Sequence, residues 1–345
     1  MDDSKTVDSR RPDGLSNEDA AIVGRLRDAR IRVREEMAKV VVGQESIIDN
    51  LLVALLCRGH VLLLGVPGVG KTLMSRTLAR TLDMEFRRIQ FTPDLMPSDI
   101  TGVDIIEEDA QTGRRKLEFL PGPVFTNFLL ADEINRTPPK TQAGILQAMQ
   151  EREVSIGRKT YPLNPPFFVV ATQNPIEMEG TYPLPEAQLD RFMFNLIVKY
   201  PTPADELQIV KGTTGTKTGE ARPVLKADEV IRLQDLVRGV PVADAVAMYA
   251  VRLAASTRPG ESKEIDGVHK YLLYGASPRA SQYLVLGAKA RAILAGKYHV
   301  DFDDVKAIAG AVLRHRLVLN FHARADGVDA DAVIRRLIES VKFEA

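Results

Sequence analysis

Cysteine is almost absent from this chain. Cys57 stands alone among 345 residues, which excludes an intrachain disulfide and any zinc site assembled from several thiolates. The five histidines, His60, His269, His299, His315 and His322, fall in no paired metal-ligand spacing. Tryptophan is missing and aromatic residues make up 6%, so there is little material for stacking bases or sugar rings. No apolar run reaches the ~20 residues that cross a bilayer. The opening segment MDDSKTVDSRRPDG is polar and of mixed charge, unlike a secretory signal. These features lead us to expect a soluble protein of the reducing cytoplasm. Net charge is missing too, since 46 Lys and Arg balance 46 Asp and Glu. That weighs against gripping nucleic acid through a wholly basic surface, although a local basic patch stays open.

What is present is ordinary globular material, 45% hydrophobic and 27% charged. The length suits roughly two domains. Residues 1–16 read as a flexible tail rich in Asp, Ser, Arg, Pro and Gly. Ile22, Leu26, Ala29, Val33 and Met37 recur at helical steps and predict a helix over 17–38, followed by a second over 45–58. Five short apolar runs follow: Val61–Leu64, Phe86–Phe91, Phe128–Ala131, Phe167–Thr172 and Phe192–Val198. Runs of that kind suit strands buried on both faces of a parallel sheet, and their alternation with helices predicts a doubly wound α/β domain. Two hairpins interrupt it, one near 103–119 turning at Gln111-Thr112-Gly113 and one near 153–161 turning at Gly157-Arg158. Pro201-Thr202-Pro203 marks a boundary. The expected division is a nucleotide-binding α/β domain over 17–203 and an all-helical lid over 204–345. Helices are expected near 204–211, 227–237, 242–257, 278–295, 301–314 and 329–341, with 211–223 as a flexible connection.

The chemistry gathers in a few motifs. Gly65-Val66-Pro67-Gly68-Val69-Gly70-Lys71-Thr72 meets the pattern G-x-x-x-x-G-K-[ST] between a strand and a helix. Its glycines let backbone N–H groups close around phosphate oxygens, and the helix start adds positive potential. Lys71 would reach the β- and γ-phosphates, and Thr72 would hold Mg²⁺. Phe128–Ala131 runs into Asp132-Glu133. At a strand's C-terminal end Asp132 would serve the Mg²⁺ shell, partly through water, and Glu133 would deprotonate the attacking water. Asn174 follows the strand Phe167–Thr172, where an amide can meet the γ-phosphate or the water; it can equally be a turn residue before Pro175. Arg191 suits an arginine finger toward a neighbouring subunit, or a surface pair with Asp190 or Glu186. Ser277-Pro278 is a good helix start. Arg279 in that first turn opposes the helix dipole and so points to an anionic partner such as phosphate.

In order and spacing, over roughly residues 40–320, these motifs resemble those of AAA+ ATPases. Gly65–Thr72 looks like Walker A, Phe128–Glu133 like Walker B, Asn174 like sensor 1, Arg191 like the arginine finger and Arg279 like sensor 2. Val41-Val42-Gly43-Gln44 resembles the segment that packs on adenine. ADEINRTPPKTQAGILQAMQEREVSIG, ATQNPIEMEGTYPLPEAQLDRF, GASPRASQYLVLGAKARAILAG and VLRHRLVLNFHARADGV resemble signatures of the MoxR family. The resemblance implies catalytic roles for Lys71, Glu133, Asn174, Arg191 and Arg279. It implies ATP contacts from Val42, Gly43, Gly65, Pro67, Gly68, Val69, Gly70, Lys71, Thr72, Leu73, Asp132 and Arg279, with Thr72 and Asp132 serving Mg²⁺. It also implies a ring, usually a hexamer, and chaperone-like remodelling or maturation of client complexes. A separate von Willebrand factor A-domain protein often serves such enzymes as adaptor. No direct insertion into a membrane is expected.

Arg136 is a second candidate interface arginine. The hairpin 153–161, with Arg152, Arg158 and Lys159, either faces a ring pore or is simply solvated. A fold does not decide a function. The alternatives are the ATPase subunit of a metal chelatase, a nucleic-acid motor or transcription-regulating ATPase, and a nucleotide-dependent scaffold. Zero net charge and the lack of a GAFTGA-like loop count against the second, and the intact Asp132-Glu133 pair counts against the third.

Overall fold

A computed structural model describes residues 17–108, 115–176, 180–215, 219–260, 265 and 267–342. The expected tail and the turn at Gln111-Thr112-Gly113 lie outside the described residues.

Five parallel strands form the centre: β1 (Val61–Leu64), β2 (Phe86–Gln90), β3 (Phe128–Asp132), β4 (Phe168–Gln173) and β5 (Phe194–Ile197). They lie in the spatial order β2-β3-β4-β1-β5. Each matches a predicted apolar run to within two residues at either end. Their side chains divide by the strand's period of two. Val61, Leu63, Phe128, Leu130, Phe168, Val170, Phe194 and Leu196 face one apolar cluster. Leu62, Leu129, Ala131, Val169 and Ala171 face another. Both faces of these four strands are therefore buried, which is why their runs are continuous rather than alternating. β2, at one edge of the sheet, departs from that expectation, with Arg87, Arg88 and Gln90 exposed.

Helices α1 (Asn17–Ala38) and α2 (Glu45–Leu56) share the first cluster with the C-terminal helices. Helix α3 (Lys71–Thr81) starts directly after the glycine-rich loop. The hairpins pair Gly102–Glu108 with Arg115–Pro121 and Glu153–Ile156 with Lys159–Pro162. Phe119 of the first stacks on Tyr161 of the second at 4.2 Å, which braces the two together.

Beyond β5 the chain is helical: Pro203–Thr213, Ala227–Gly239, Asp244–Ala255, Pro278–Leu294, Phe302–Leu313 and Ala330–Ser340. A short antiparallel pair, Leu272–Tyr274 with Val318–Leu319, joins them. The reading of 211–223 as a flexible connection needs correction at both ends: residues 211–213 continue the helix Pro203–Thr213, and residues 219–223 are held in place. Ala221 is buried, Arg222 N–H donates to Glu36 Oε2 at 2.9 Å, and Arg80 pairs with Glu220. A side chain at Gly219 would collide with the Lys39 carbonyl, so this segment is strapped against α1 by close backbone approach. Among the described residues no helix is long and apolar enough to cross a membrane.

Candidate active site

The glycine-rich loop leaves β1 at its C-terminal end. Gly68 and Gly70 adopt φ of +82° and +83°, a region that L side chains rarely enter, and open space surrounds the position of a Cβ at both. Gly65 is a different case: a Cβ there would sit 2.9 Å from the Val198 carbonyl oxygen. It keeps the loop tight against the segment after β5. Lys71 Nζ donates to the carbonyls of Gly65 and of Val66, so the ammonium folds across the loop it belongs to. Leu73, two residues further, is exposed.

Asp132 ends β3 almost fully buried. Its Oδ1 accepts from Thr172 Oγ1 at 2.6 Å, and its Oδ2 accepts from Arg88 at 2.6 and 3.0 Å and from Thr72 Oγ1 at 3.5 Å. The parallel register places Gln90 beside Asp132 across β2 and β3. Glu133 follows in a left-handed conformation, φ +57°, a strained state for a side-chain-bearing residue and one that clusters at functional sites. Thr172 Oγ1 also receives the Glu133 N–H at 2.8 Å. One hydroxyl therefore orients both carboxylate residues. The Glu133 carboxylate accepts from Gln90 Nε2 at 2.9 Å and pairs with Arg136 at 3.3 Å. Gln142 holds the turn that follows by donating to the carbonyls of Ile134, Thr137 and Tyr182.

Asn174 lies one residue beyond β4, beside Gly65, because Leu64 pairs with Gln173. It is 6% exposed. Its Oδ1 accepts from the Ile176 N–H at 3.2 Å, while its buried Nδ2 has no acceptor. The bond to the N–H two residues on is the Asx turn that its alternative reading expects, and the buried orphan donor beside it costs about 1–3 kcal/mol. On the loop's other side Gly43 has φ +71°, and a side chain there would meet the Asp205 carboxylate. Gln44 donates to the Lys199 carbonyl. Val42 and Gly43 thus border the same end of the sheet.

Arg191 and Arg279 are elsewhere. Met193 N–H bonds the His60 carbonyl, and His60 precedes β1. These arginines therefore sit at the N-terminal edge, a strand length of about 13 Å from the loop. Arg191 Nη1 donates to the Leu146 carbonyl at 2.9 Å. The alternative surface pair with Asp190 or Glu186 does not occur among the described residues. The Asp190 carboxylate is taken by Arg316 at 2.7 Å, Arg279 at 3.0 Å and Ser277 Oγ at 3.0 Å. Ser277 caps its helix as read from the sequence, accepting from Arg279 N–H. Within this chain Arg279 faces the Asp190 carboxylate.

Arg316 escaped the sequence reading. It is buried and gathers Asp190, the Asp190 and Phe192 carbonyls (2.9 and 2.7 Å) and the Met193 carbonyl, with its guanidinium over the Tyr283 ring. His315 contacts the Phe192 carbonyl as well. The segment carrying Arg191 is thereby clamped from the C-terminal helices. Burial holds the pKa of Arg316 below the usual arginine range, against the raising influence of Asp190. Arg88, Thr172 and Gln90 were missed too. Nothing in a strand such as Phe86-Arg87-Arg88-Ile89-Gln90 says which neighbour its polar residues will meet.

The donor set suits a nucleoside triphosphate and a hard divalent cation. Open left-handed glycines, a lysine, a hydroxyl beside a buried carboxylate and an unused amide donor converge at one sheet edge. Mg²⁺ needs only one or two protein oxygens when phosphates and waters supply the rest. This agrees with the absence, among the described residues, of any cluster of three or more His, Cys, Asp or Glu able to hold a metal.

Comparison with known proteins agrees. Residues 60–194 match the family model for ATPases associated with various cellular activities, and 266–337 match an AAA lid domain. The chain is similar to the chaperone MoxR1 of Mycobacterium tuberculosis, 45% identical over 89% of this chain and 80% of that one. It is similar to the protein MoxR of Methylorubrum extorquens, 33% identical over 91% and 95%. A solved structure from Cytophaga hutchinsonii, described as a candidate ATPase, superposes with a TM-score of 0.86 at 39% identity, covering 95% of this chain and 98% of that one.

Proposed function

The chain belongs to the MoxR family of AAA+ ATPases, and from that premise we propose that it hydrolyses ATP at interfaces between copies of itself. One observation carries this reading. Lys71, Thr72, Asp132, Glu133 and Asn174 share the C-terminal edge of the sheet, whereas Arg191 and Arg279 occupy the N-terminal edge. A single copy cannot bring both sets to one phosphate. Two copies stacked head to tail can, and repetition of such a contact closes a ring.

In this reading the Lys71 ammonium leaves the Gly65 and Val66 carbonyls for the β- and γ-phosphates, and the loop N–H groups take the remaining oxygens. Mg²⁺, held by Thr72 and by Asp132 through water, would neutralise phosphate charge. Glu133, aimed by Thr172, Gln90 and Arg136, accepts a proton from water as its oxygen attacks the γ-phosphorus and the bond to ADP breaks. Asn174 Nδ2 donates to the γ-phosphate or the water. Arg191 reaches the neighbour's γ-phosphate. We assign Arg279 to the same face, in place of the role within its own subunit expected for a sensor-2 residue. Positioning and charge neutralisation dominate phosphoryl transfer, so these groups suffice.

We further propose that the division near residue 203 separates the nucleotide-binding domain from the lid. The ring, a hexamer by family resemblance, then works in the cytoplasm as a remodelling or maturation factor with a von Willebrand factor A-domain adaptor. The hairpin bearing Arg158 and Lys159, both exposed, would meet the client. Glu133→Gln tests the core of the reading. ATP should stay bound while steady-state phosphate release falls by about 10²- to 10⁴-fold, and unchanged turnover would exclude Glu133 as the base.

A further inference from the structure

A cavity of about 740 Å³ opens at the N-terminal edge of the sheet, between β1, the end of the helix Pro139–Glu151 and the C-terminal helices. Five arginines line it: Arg58, Arg152, Arg191, Arg238 and Arg279. Among the described residues no carboxylate does. Two lie behind the wall. Asp235 meets Arg58 at 2.5 Å, and Asp190 is shared between Arg279 and Arg316. Arg152 and Arg238 have no carboxylate partner among the described residues. The pKa of Arg152 is held below the usual arginine range, first by desolvation and then by the charges of Arg58 and Arg238. Lys289, whose Nζ donates to the Arg238 carbonyl, is lowered by burial and by Arg238 in the same way.

The backbone adds a second observation. Four described non-glycine residues have positive φ. Glu133 is one, in the active site. Arg58 (φ +55°) and Arg152 (φ +57°) are two others, both just past helix ends where glycine is the usual choice. Each accepts a backbone cost of roughly 1–2 kcal/mol, and both residues line the same cavity. Five clustered arginines, of which Arg152 and Arg238 have no carboxylate partner among the described residues and Arg152 also sits on strained backbone, are what a site for a polyvalent anion looks like before the anion arrives.

We propose that this cavity binds an oligophosphate chain, with Arg58, Arg152 and Arg238 as its ligands alongside Arg191 and Arg279. The triphosphate of a nucleotide held by the adjacent copy is one source, and for that source the proposal rests on the interface reading above. A free polyphosphate anion from solution is the other. Guanidinium groups match phosphate oxygens in fork geometry, and the cavity volume suits such a ligand.

The test begins with Lys71→Ala, in which the chain's own phosphate loop is disabled. Calorimetric titration with inorganic tripolyphosphate at low salt should show binding that weakens as salt rises. Adding Arg152→Ala or Arg238→Ala should weaken it by about tenfold each, while Arg152→Lys and Arg238→Lys retain part of it. Melting temperatures should not fall in the alanine variants, because removing either arginine relieves repulsion. Absence of binding, or affinity indifferent to both arginines, would overturn the proposal. Steady-state ATP hydrolysis in the otherwise unaltered chain separates the sources. If the neighbour's nucleotide is the ligand, Arg152→Ala raises the KM for ATP. If a solution anion is the ligand, tripolyphosphate changes the rate of the unaltered chain but not of Arg152→Ala. A chain without ATPase activity would defeat the interface reading and leave the calorimetric arm intact.

Discussion

Replacing Asn174 by alanine should separate stability from turnover. In the folded chain Asn174 makes one internal hydrogen bond, from the Ile176 N–H to Oδ1 at 3.2 Å, while Nδ2 is buried without an acceptor. Losing the bond costs about 1 kcal/mol, and removing the orphan donor returns about 1–3 kcal/mol. Asn174→Ala is therefore expected to unfold within about 1 kcal/mol of the parent, or to be slightly more stable. Turnover should behave differently. A hydrogen bond to a charged group is worth about 1.5–3 kcal/mol, so phosphate release at saturating ATP should fall by about 10- to 150-fold. Asn174→Asp should fall further, because it sets a carboxylate beside the γ-phosphate. The assays are urea melts without nucleotide and steady-state phosphate release with Mg·ATP. An alanine variant that loses more than about 2 kcal/mol yet turns over like the parent would refute the reasoning. In that case the amide would be serving the fold.

Chain mixing tests action across an interface. Arg191→Ala, Arg279→Ala and Lys71→Ala should each be inactive alone, and an equal mixture of Lys71→Ala with either arginine variant should regain activity at about one quarter of the contacts in a randomly assembled ring. Mixtures as inactive as their components would mean that the arginines serve their own subunit. His60 predicts an acid limit to stability. It is fully buried, with Nε2 on the Met149 carbonyl and Nδ1 accepting the Val169 N–H, and desolvation lowers its pKa from 6.5 to about 4. The unfolded chain takes up this proton near pH 6.5 and the folded chain only near pH 4, so stability is lost as pH falls through that window. The loss reaches about 3 kcal/mol from this group, with His315 acting in the same direction. Urea midpoints should drop between pH 7.5 and 4.5, with a shallower fall in His60→Gln. A flat profile would contradict the burial argument.

The phosphate loop, the acidic strand end and the parallel sheet were all legible in the sequence. Their geometry is local: a strand, a loop with two left-handed glycines and a helix follow one another without interruption, so residue order alone brings Lys71 and Thr72 to one point. Four of the five runs announced strands covered on both faces, since a strand buried twice has no polar side to show; the fifth, Phe86–Phe91, became an edge strand with Arg87, Arg88 and Gln90 exposed. Tertiary structure decided what depends on long separations. Asp190 meets Arg279 across 89 residues and Arg316 across 126, and no spacing rule links positions so far apart. Arg88 and Thr172 reached Asp132 only through strand register. Above all, the sequence marked Arg191 and Arg279 as cations awaiting an anion without saying which edge of the sheet would present them. Packing of the C-terminal helices put both beside the arginine-lined cavity, a strand's length from the loop, and it is this separation that motivates the proposal of a site shared between two copies.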